Sequence, residues 1–386
     1  MEFRLNEDQT MIRDLARSFA RDVLKDRVEE IEDRSKVGHF PEDVYQQMCG
    51  TGFLGIPFAE DYGGLDMGYD SLVLCWEELS RQSPSAACAL HISLTPMEAV
   101  ALYGTQEQKD FYLPRAIAGE TKPAMAFTEP GTGSDPKQLL TTAKLEGDVW
   151  VINGVKRFIS NAQYPGELIL FAREADTGAI TCFMVDKFCA GYSISSPWDK
   201  VGLLGSAVYD IFLDDVKVPN DALHILGERG KGFNILKAVT GYGKLGFSSI
   251  FLGCMSGSLD LAREYITTKK HRDGVITKFQ SIQMKYIQLL ALYESCRMMV
   301  YKAGEMANDP ENPAFVPYSA MIKAHVGDQA LQGCILAMNL MGSYGVMGEY
   351  RVENFLRDAL IGPHVEGQTD LQRVAAAGYF MYNEPD

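Results

Sequence analysis

The hydrophobic period of this chain changes twice, and that limits its possible folds more than any other feature. Up to about residue 120 the apolar residues recur every three to four positions. Leu5, Met11, Leu15, Phe19 and Val23 trace one helix face, behind Asn6 or Glu7 as a cap. Loops interrupt at "PFAEDYGGLDMG" and "RQSPS", and the helical pattern resumes through "AACALHISLTPMEAVALYG" and "TQEQKDFYLPRAIAG". From about 121 to 228 the period falls to two: "ELILFARE", "ITCFMVD" and "AVYDIFLDDVKVP" are short β-rich runs between Gly, Pro and Asp turns. From about 229 the long period returns in three extended segments, which predict a bundle of about four helices. The expected chain is therefore mostly α, in three parts. An N-terminal helical domain spans 1–120, a small β-barrel or sandwich 121–228, and a C-terminal helical bundle 229–386.

Composition removes several function classes. With 386 residues, 46% hydrophobic and 23% charged, the chain has ample core. A net charge of -15 argues against a nucleic-acid or anionic-membrane partner. The eight cysteines show no CxxC and no clustering, so buried free thiols are expected rather than disulfides or a zinc site. The N-terminus has no apolar core like a signal peptide's, and no run of eighteen apolar residues occurs. The expected location is the cytoplasm, or the mitochondrial matrix only if a transit peptide has been removed.

The stretch "AMAFTEPGTGSD", 124–135, places glycines beside hydroxyls, as anion-binding loops do. It is not a P-loop, since Gly133 is followed by Ser134 rather than lysine. It is not a dinucleotide fingerprint either, since the third glycine position holds Pro136. The residues after it alternate, with turn signals at Gly147-Asp148 and Asn153-Gly154, which predicts hairpins. Taken alone, the loop reads more readily as an ordinary turn between strands than as a phosphate cradle.

The helix, β, helix order, with "AFTEPGTGSD" opening the β section, resembles the acyl-CoA dehydrogenase family over essentially the whole chain. Further similar stretches follow in order: "LTPMEAVALYGTQEQKDFYLPRAIAGE", "VWVINGVKRFISNAQ", "DDVKVPNDALHILGERGKGFNIL" and "YGVMGEYRVENFLRDALIGPHVEGQTDLQR". The resemblance implies FAD as cofactor. Met125, Ala126, Phe127 and Thr128 would meet the flavin ring, and Ser134 would meet the FAD phosphate or the pantetheine arm of the substrate. Phe158, Ile159 and Ser160 would flank the ring, although Phe158 by itself could equally be core. Glu129 is expected to be a turn carboxylate satisfied by backbone amides.

At the nucleotide end the pattern departs from the family. Its Arg-x-Gln-Phe-Gly stretch is here "KKHRDGVITKFQ", with Lys269, His271, Arg272 and Asp273, while Phe279 and Gln280 remain. Its Gln then Gly-Gly signature is Asn339 and Gly342-Ser343, and Gln368 and Asp370 complete the implied cofactor set. A lysine offers a point charge where a diphosphate prefers a forked guanidinium. Weaker FAD binding and a smaller homo-oligomer, a dimer rather than a tetramer, are therefore expected.

Desaturating an acyl thioester needs a base for the α proton, an acceptor for the β hydride, and donors for the carbonyl. No side chain accepts hydride, so FAD must. The resemblance places the base at Glu366 in "PHVEGQTD", where Gly367 permits a tight turn and burial would raise the carboxyl pKa. Gly243 occupies the alternative base position of one family variant and has no side chain to serve. Lys244 stands where most members carry an arginine near the thioester. His91 falls where the family closes the floor of the acyl pocket, although a helix histidine is more often a satisfied core residue. Ser134, Lys244, Gly367 and His91 form the implied substrate set, and no metal is implied. The implied activity is acyl-CoA dehydrogenation, with an electron-transferring flavoprotein as acceptor. Two alternatives stand beside it: an acyl-carrier-protein substrate in secondary metabolism, and a non-catalytic flavin or thioester binder.

Overall fold

The computed structural model describes residues 4–132, 136–272 and 274–383. Six helices come first: α1 (Glu7–Phe19), α2 (Val28–Ile31), α3 (Glu42–Gly50), α4 (Gly68–Ser80), α5 (Pro84–Tyr103) and α6 (Gln106–Ile117). Seven strands follow: β1 (Ala124–Ala126), β2 (Thr142–Glu146), β3 (Val149–Ser160), β4 (Glu167–Glu174), β5 (Ile180–Asp186), β6 (Tyr192–Ile194) and β7 (Val208–Pro219). The chain then enters α7 (Gly232–Thr268) and a minimal hairpin, β8 (Lys270–His271) with β9 (Gly274–Val275). It ends in α8 (Gln280–Ala307), α9 (Phe315–Met341), α10 (Val352–Ala359) and α11 (Thr369–Phe380).

Local chemistry sets the helix starts. Asn6 and Gln9 form a reciprocal capping box on α1, and Thr105 and Gln108 repeat it on α6. Ser83 caps α5, with Pro84 in its first turn, where a missing N–H costs nothing. The face of α1 differs from the expected one. Ile12, Ala16, Ala20 and Leu24 are buried, whereas Met11 and Leu15 are 55% and 40% exposed. Along this face α1 packs on α4, where Arg17 pairs with buried Glu78.

The strands form one mixed sheet in the order β1-β4-β2-β3-β7-β6, with β5 also paired to β4. The β2–β3 hairpin turns at Gly147-Asp148, as the sequence predicts. Asn153-Gly154 does not turn. It lies within β3 as a shift of register against β7. Gly154 presses so close to Thr141 that a Cβ would lie 2.4 Å from the hydroxyl, and Asn153 bonds instead to Asp215 on β7.

The 37-residue α7 is the spine of the C-terminal bundle with α8, α9 and α11. Both α5 and α7 are long and apolar enough to cross a membrane by length and composition, yet both are sunk in the protein core. All eight cysteines are free, and only Cys189 is not fully buried.

One buried acid belongs to this core rather than to the predicted site. Glu98 on α5 is enclosed, accepts the Tyr69 hydroxyl at 3.0 Å, and has its pKa pushed well above the usual carboxylate range by burial. The folded chain thus keeps a proton that the unfolded chain, titrating near ~4.3, releases. Stability from this site therefore falls as pH rises between those two values. Glu98→Gln mimics the neutral acid. Its melting temperature should decline less than that of the wild type from about pH 5 to about pH 8. Parallel declines in a thermal-melt series would refute this account.

Candidate active site

The turn between α10 and α11 carries Glu366. Glu366 and Gly367 both adopt left-handed backbone, with φ 50° and 90°. This pair of reversals costs energy at a non-glycine residue and persists only where the surroundings enforce it. The enforcement is visible. Thr369 donates its N–H and its hydroxyl to the Pro363 carbonyl, at 3.0 and 3.2 Å, which closes the loop. Gln368 caps α11 through Asp370 and Leu371, and Asp370 pairs with Arg373. The Gln368 and Asp370 side chains are thus engaged in the cap. Among the described residues, the Glu366 N–H donates to no backbone carbonyl.

The carboxylate reaches α7 at Gly243. A Cβ built there would lie 3.0 Å from both Cδ and Oε2 of Glu366, so the missing side chain makes the acid's seat. Oε2 is buried without a hydrogen-bond partner. Burial raises the Glu366 pKa, and the charges of Lys244 and Lys323 oppose that rise. Lys244 bonds to the Thr240 carbonyl of its own helix at 3.0 Å, and burial lowers its pKa to about 8. Lys323, on α9, reaches the Gly367 carbonyl at 2.5 Å and is likewise lowered to about 8. Sequence reasoning missed Lys323, although a lysine inside the apolar run "YSAMIKAHVG" was a readable signal.

His91, on α5, adjoins the same turn of α7. Its Nε2 lies 3.1 Å from the Gly243 carbonyl, and its ring fills the notch of Gly246, edge-on to Phe247. Burial lowers its pKa to about 4, so the ring is neutral at physiological pH. The Gly243 carbonyl can only accept, which puts the proton on Nε2. Nδ1 is buried and unpartnered. Glu366, Gly367, Gly243, Lys244 and His91, far apart in sequence, thus meet around one stretch of α7.

The β section supplies the other half. The Thr128 carbonyl accepts from the Arg157 N–H at 2.8 Å, which lays Thr128 beside Phe158. A register shift between Lys156 and Ile159 puts Phe158 at φ 60° and turns its ring outward, 53% exposed and edge-on to Trp198. Ile159 points into the sheet core, so only its backbone can face a cofactor. Met125 and Phe127 are half-buried and pack on the main core, Ala126 is fully buried, and Ser160 ends β3 half-buried. Glu129 is satisfied as expected by the Leu140 and Thr141 amides, and also by Lys156 at 2.8 Å. Ser134 and Asp273 lie outside the described residues. Asn161, next after Ser160, donates to Ser93 on α5, two residues from His91, so one helix ties both halves together.

The predicted nucleotide-end residues gather near the β8–β9 hairpin. The Lys269 ammonium lies 4.6 Å from the Tyr344 ring, in the turn that also carries Gly342 and Ser343. His271 rests against Phe279, Gln280 opens α8, and Asn339 is exposed in the last turn of α9.

These residues fit a flavin. An exposed aromatic ring, turned out by a strand bulge next to the backbone of Thr128, suits a planar ring with polar edges. The Glu366 Oε2 oxygen is a buried acceptor with no partner of its own. Family models for the acyl-CoA dehydrogenase N-terminal, middle and C-terminal domains match residues 6–120, 124–216 and 230–378. The chain is 33% identical to a 3-(aryl)acrylate reductase of Clostridium sporogenes, over 97% of this chain and 99% of that one. It is 32% identical to the caffeyl-CoA reductase-Etf complex subunit CarC of Acetobacterium woodii, over 97% and 99%. The butyryl-CoA dehydrogenase structure from Megasphaera elsdenii superposes with a TM-score of 0.93 at 29% identity, over 99% and 100%. This chain is a member of the acyl-CoA dehydrogenase family, an oxidoreductase with FAD as its cofactor.

Proposed function

We propose that the chain desaturates an acyl-CoA thioester between its α and β carbons, with Glu366 as the base. The observation that carries this reading is the carboxylate oxygen of Glu366, buried in the notch of Gly243 with no partner of its own. FAD, when bound, accepts the hydride from the β carbon. Glu366 takes the α proton, and its raised pKa brings it nearer the proton it must remove. The Glu366 N–H is a ready donor for the thioester carbonyl as negative charge gathers there. Lys244 adds a positive charge at that end of the site. Thr128 and Phe158 would orient the flavin, with Ser160 at the end of the same strand.

Electrons would leave to an electron-transferring flavoprotein, a partner supported by the relative named as an Etf-complex subunit. Exposed apolar side chains support a homo-oligomer. On α8, Met284, Ile287 and Met298 are 72%, 59% and 55% exposed, and Val374 on α11 is 70% exposed.

Three measurements test this reading. Glu366→Gln keeps the shape and removes the proton acceptor. Anaerobic flavin reduction by acyl-CoA should drop by roughly a thousandfold or more while FAD stays bound. Wild-type reduction in that variant would remove Glu366 from the base role, and reduction only by acyl-carrier protein would change the substrate class.

His91→Ala empties the space beside Gly246, so the acyl-chain preference should move toward longer apolar chains. An unchanged chain-length profile would return His91 to a purely structural role.

With Lys269 lying over the Tyr344 ring, we expect the FAD diphosphate to be held weakly. Part of the purified protein should lack flavin, and sizing with and without added FAD should show a dimer that tightens on addition. A fully flavinated tetramer that survives dilution would contradict this.

A further inference from the structure

Lys323 is 0% exposed. Lysine is almost never so enclosed unless it is paired, because its ammonium loses a large hydration energy. Among the described residues, Lys323 forms no ion pair within 4 Å, and it donates to a carbonyl, that of Gly367. A methionine would fill a similar volume without burying charge. The ammonium therefore calls for a reason other than packing.

Its setting supplies one. Lys323 and Gly327 sit one turn apart on α9, and the base loop leans on both. At Gly327 a Cβ would meet the carbonyl carbon and oxygen of Gly362 at 3.1 Å, so the glycine admits the start of the loop. Lys323 holds the end of the loop at Gly367. Between these anchors the chain makes its left-handed step at Glu366 and delivers the carboxylate to Gly243.

We propose that Lys323 is a positioning residue for the base, its ammonium pinning the Gly367 carbonyl so that the Glu366 carboxylate stays seated in the notch of Gly243. This rests on the reading of Glu366 as the base. A peptide carbonyl accepts a stronger hydrogen bond from an ammonium than from a neutral donor. Pinning the residue after Glu366 therefore resists relaxation of its strained φ. The same ammonium also acts on the carboxylate itself. The charged groups that face Glu366 are Lys244 from α7 and Lys323 from α9, and both favour its ionised form against burial. Lys323 in turn feels Glu366, Lys244 and Asp328, and His91 beyond Gly243 is neutral.

The test is the pH profile of single-turnover, anaerobic flavin reduction by butyryl-CoA in FAD-loaded enzyme. Wild type, Lys323→Met, Lys323→Arg and Glu366→Gln are compared. Losing one of two favourable charges should move the acid limb of Lys323→Met up by about one pH unit. Loosening the turn should lower its plateau about tenfold. Lys323→Arg keeps the charge and a donor, so its limb should stay near that of the wild type. If Lys323→Met does not fold, Lys323→Gln is read instead, with the same upward shift of the limb. An unmoved limb in the uncharged variant, or a uniform loss at every pH with a lowered melting temperature, overturns the proposal. So does a Lys323→Arg profile that matches Lys323→Met. Full activity in Glu366→Gln would instead overturn the base assignment. An inactive Glu366→Gln beside an unmoved limb in Lys323→Met would overturn only the role of Lys323.

Discussion

Close approach to α7 is the constraint on which the rest of the structure depends. Three of its glycines face other chain segments at distances a side chain would not allow: Gly246 receives the ring of His91, Gly253 meets Ser80 of α4, and Gly257 meets Phe355 of α10. At Gly243 the fit to Glu366 is tight, at 3.0 Å from a built Cβ. Each glycine in a helix interior costs about 1 kcal/mol relative to alanine. Here the cost is offset because α4, α5, α10 and the Glu366 loop all come down onto one buried helix. Dispersion and apolar burial scale with that proximity. The helix is a docking rail on which its neighbours are set by the same device.

The Phe158 end of the β section depends on a different interaction. Glu129 and Lys156 form an ion pair at 2.8 Å, with their side chains 2% and 0% exposed. The loop amides of Leu140 and Thr141 and the carbonyl of Phe171 complete their hydrogen bonds. Such a pair gains little net stability over apolar packing, but breaking one partner strands a buried charge. Its value here is geometric. It ties the start of the glycine loop to β3, the strand that turns Phe158 outward two residues later.

Much of this was legible in the sequence, and the failures have physical reasons. The change of period gave the helix, β, helix order because hydrophobic spacing reports directly on which face is buried. The face of α1 was misjudged because the buried stripe runs through Ile12, Ala16, Ala20 and Leu24, and the alanines in it carry a weaker hydrophobic signal than the exposed Met11 and Leu15. Asn153-Gly154 carries an ordinary turn signal, but the pairing of β3 with β7 overrides a local preference. The resemblance pointed to Glu366, Gly243 and His91 as one site. It offered nothing on Lys323: a lysine inside an apolar run marks it as unusual, but its partner, a backbone carbonyl 44 residues away, cannot be read from the sequence.

The burial of the cysteines has a consequence for an enzyme of this chemistry. Reduced flavin exposed to air passes electrons to oxygen, and peroxide is then made within the protein. Peroxide attacks the thiolate form of cysteine, first to a sulfenic acid and then irreversibly further. Here the low-dielectric surroundings raise every cysteine pKa, so each thiol keeps its proton at physiological pH. Seven are also closed off from solvent. The packing that stabilises the helices thus also makes the sulfur chemically quiet toward peroxide.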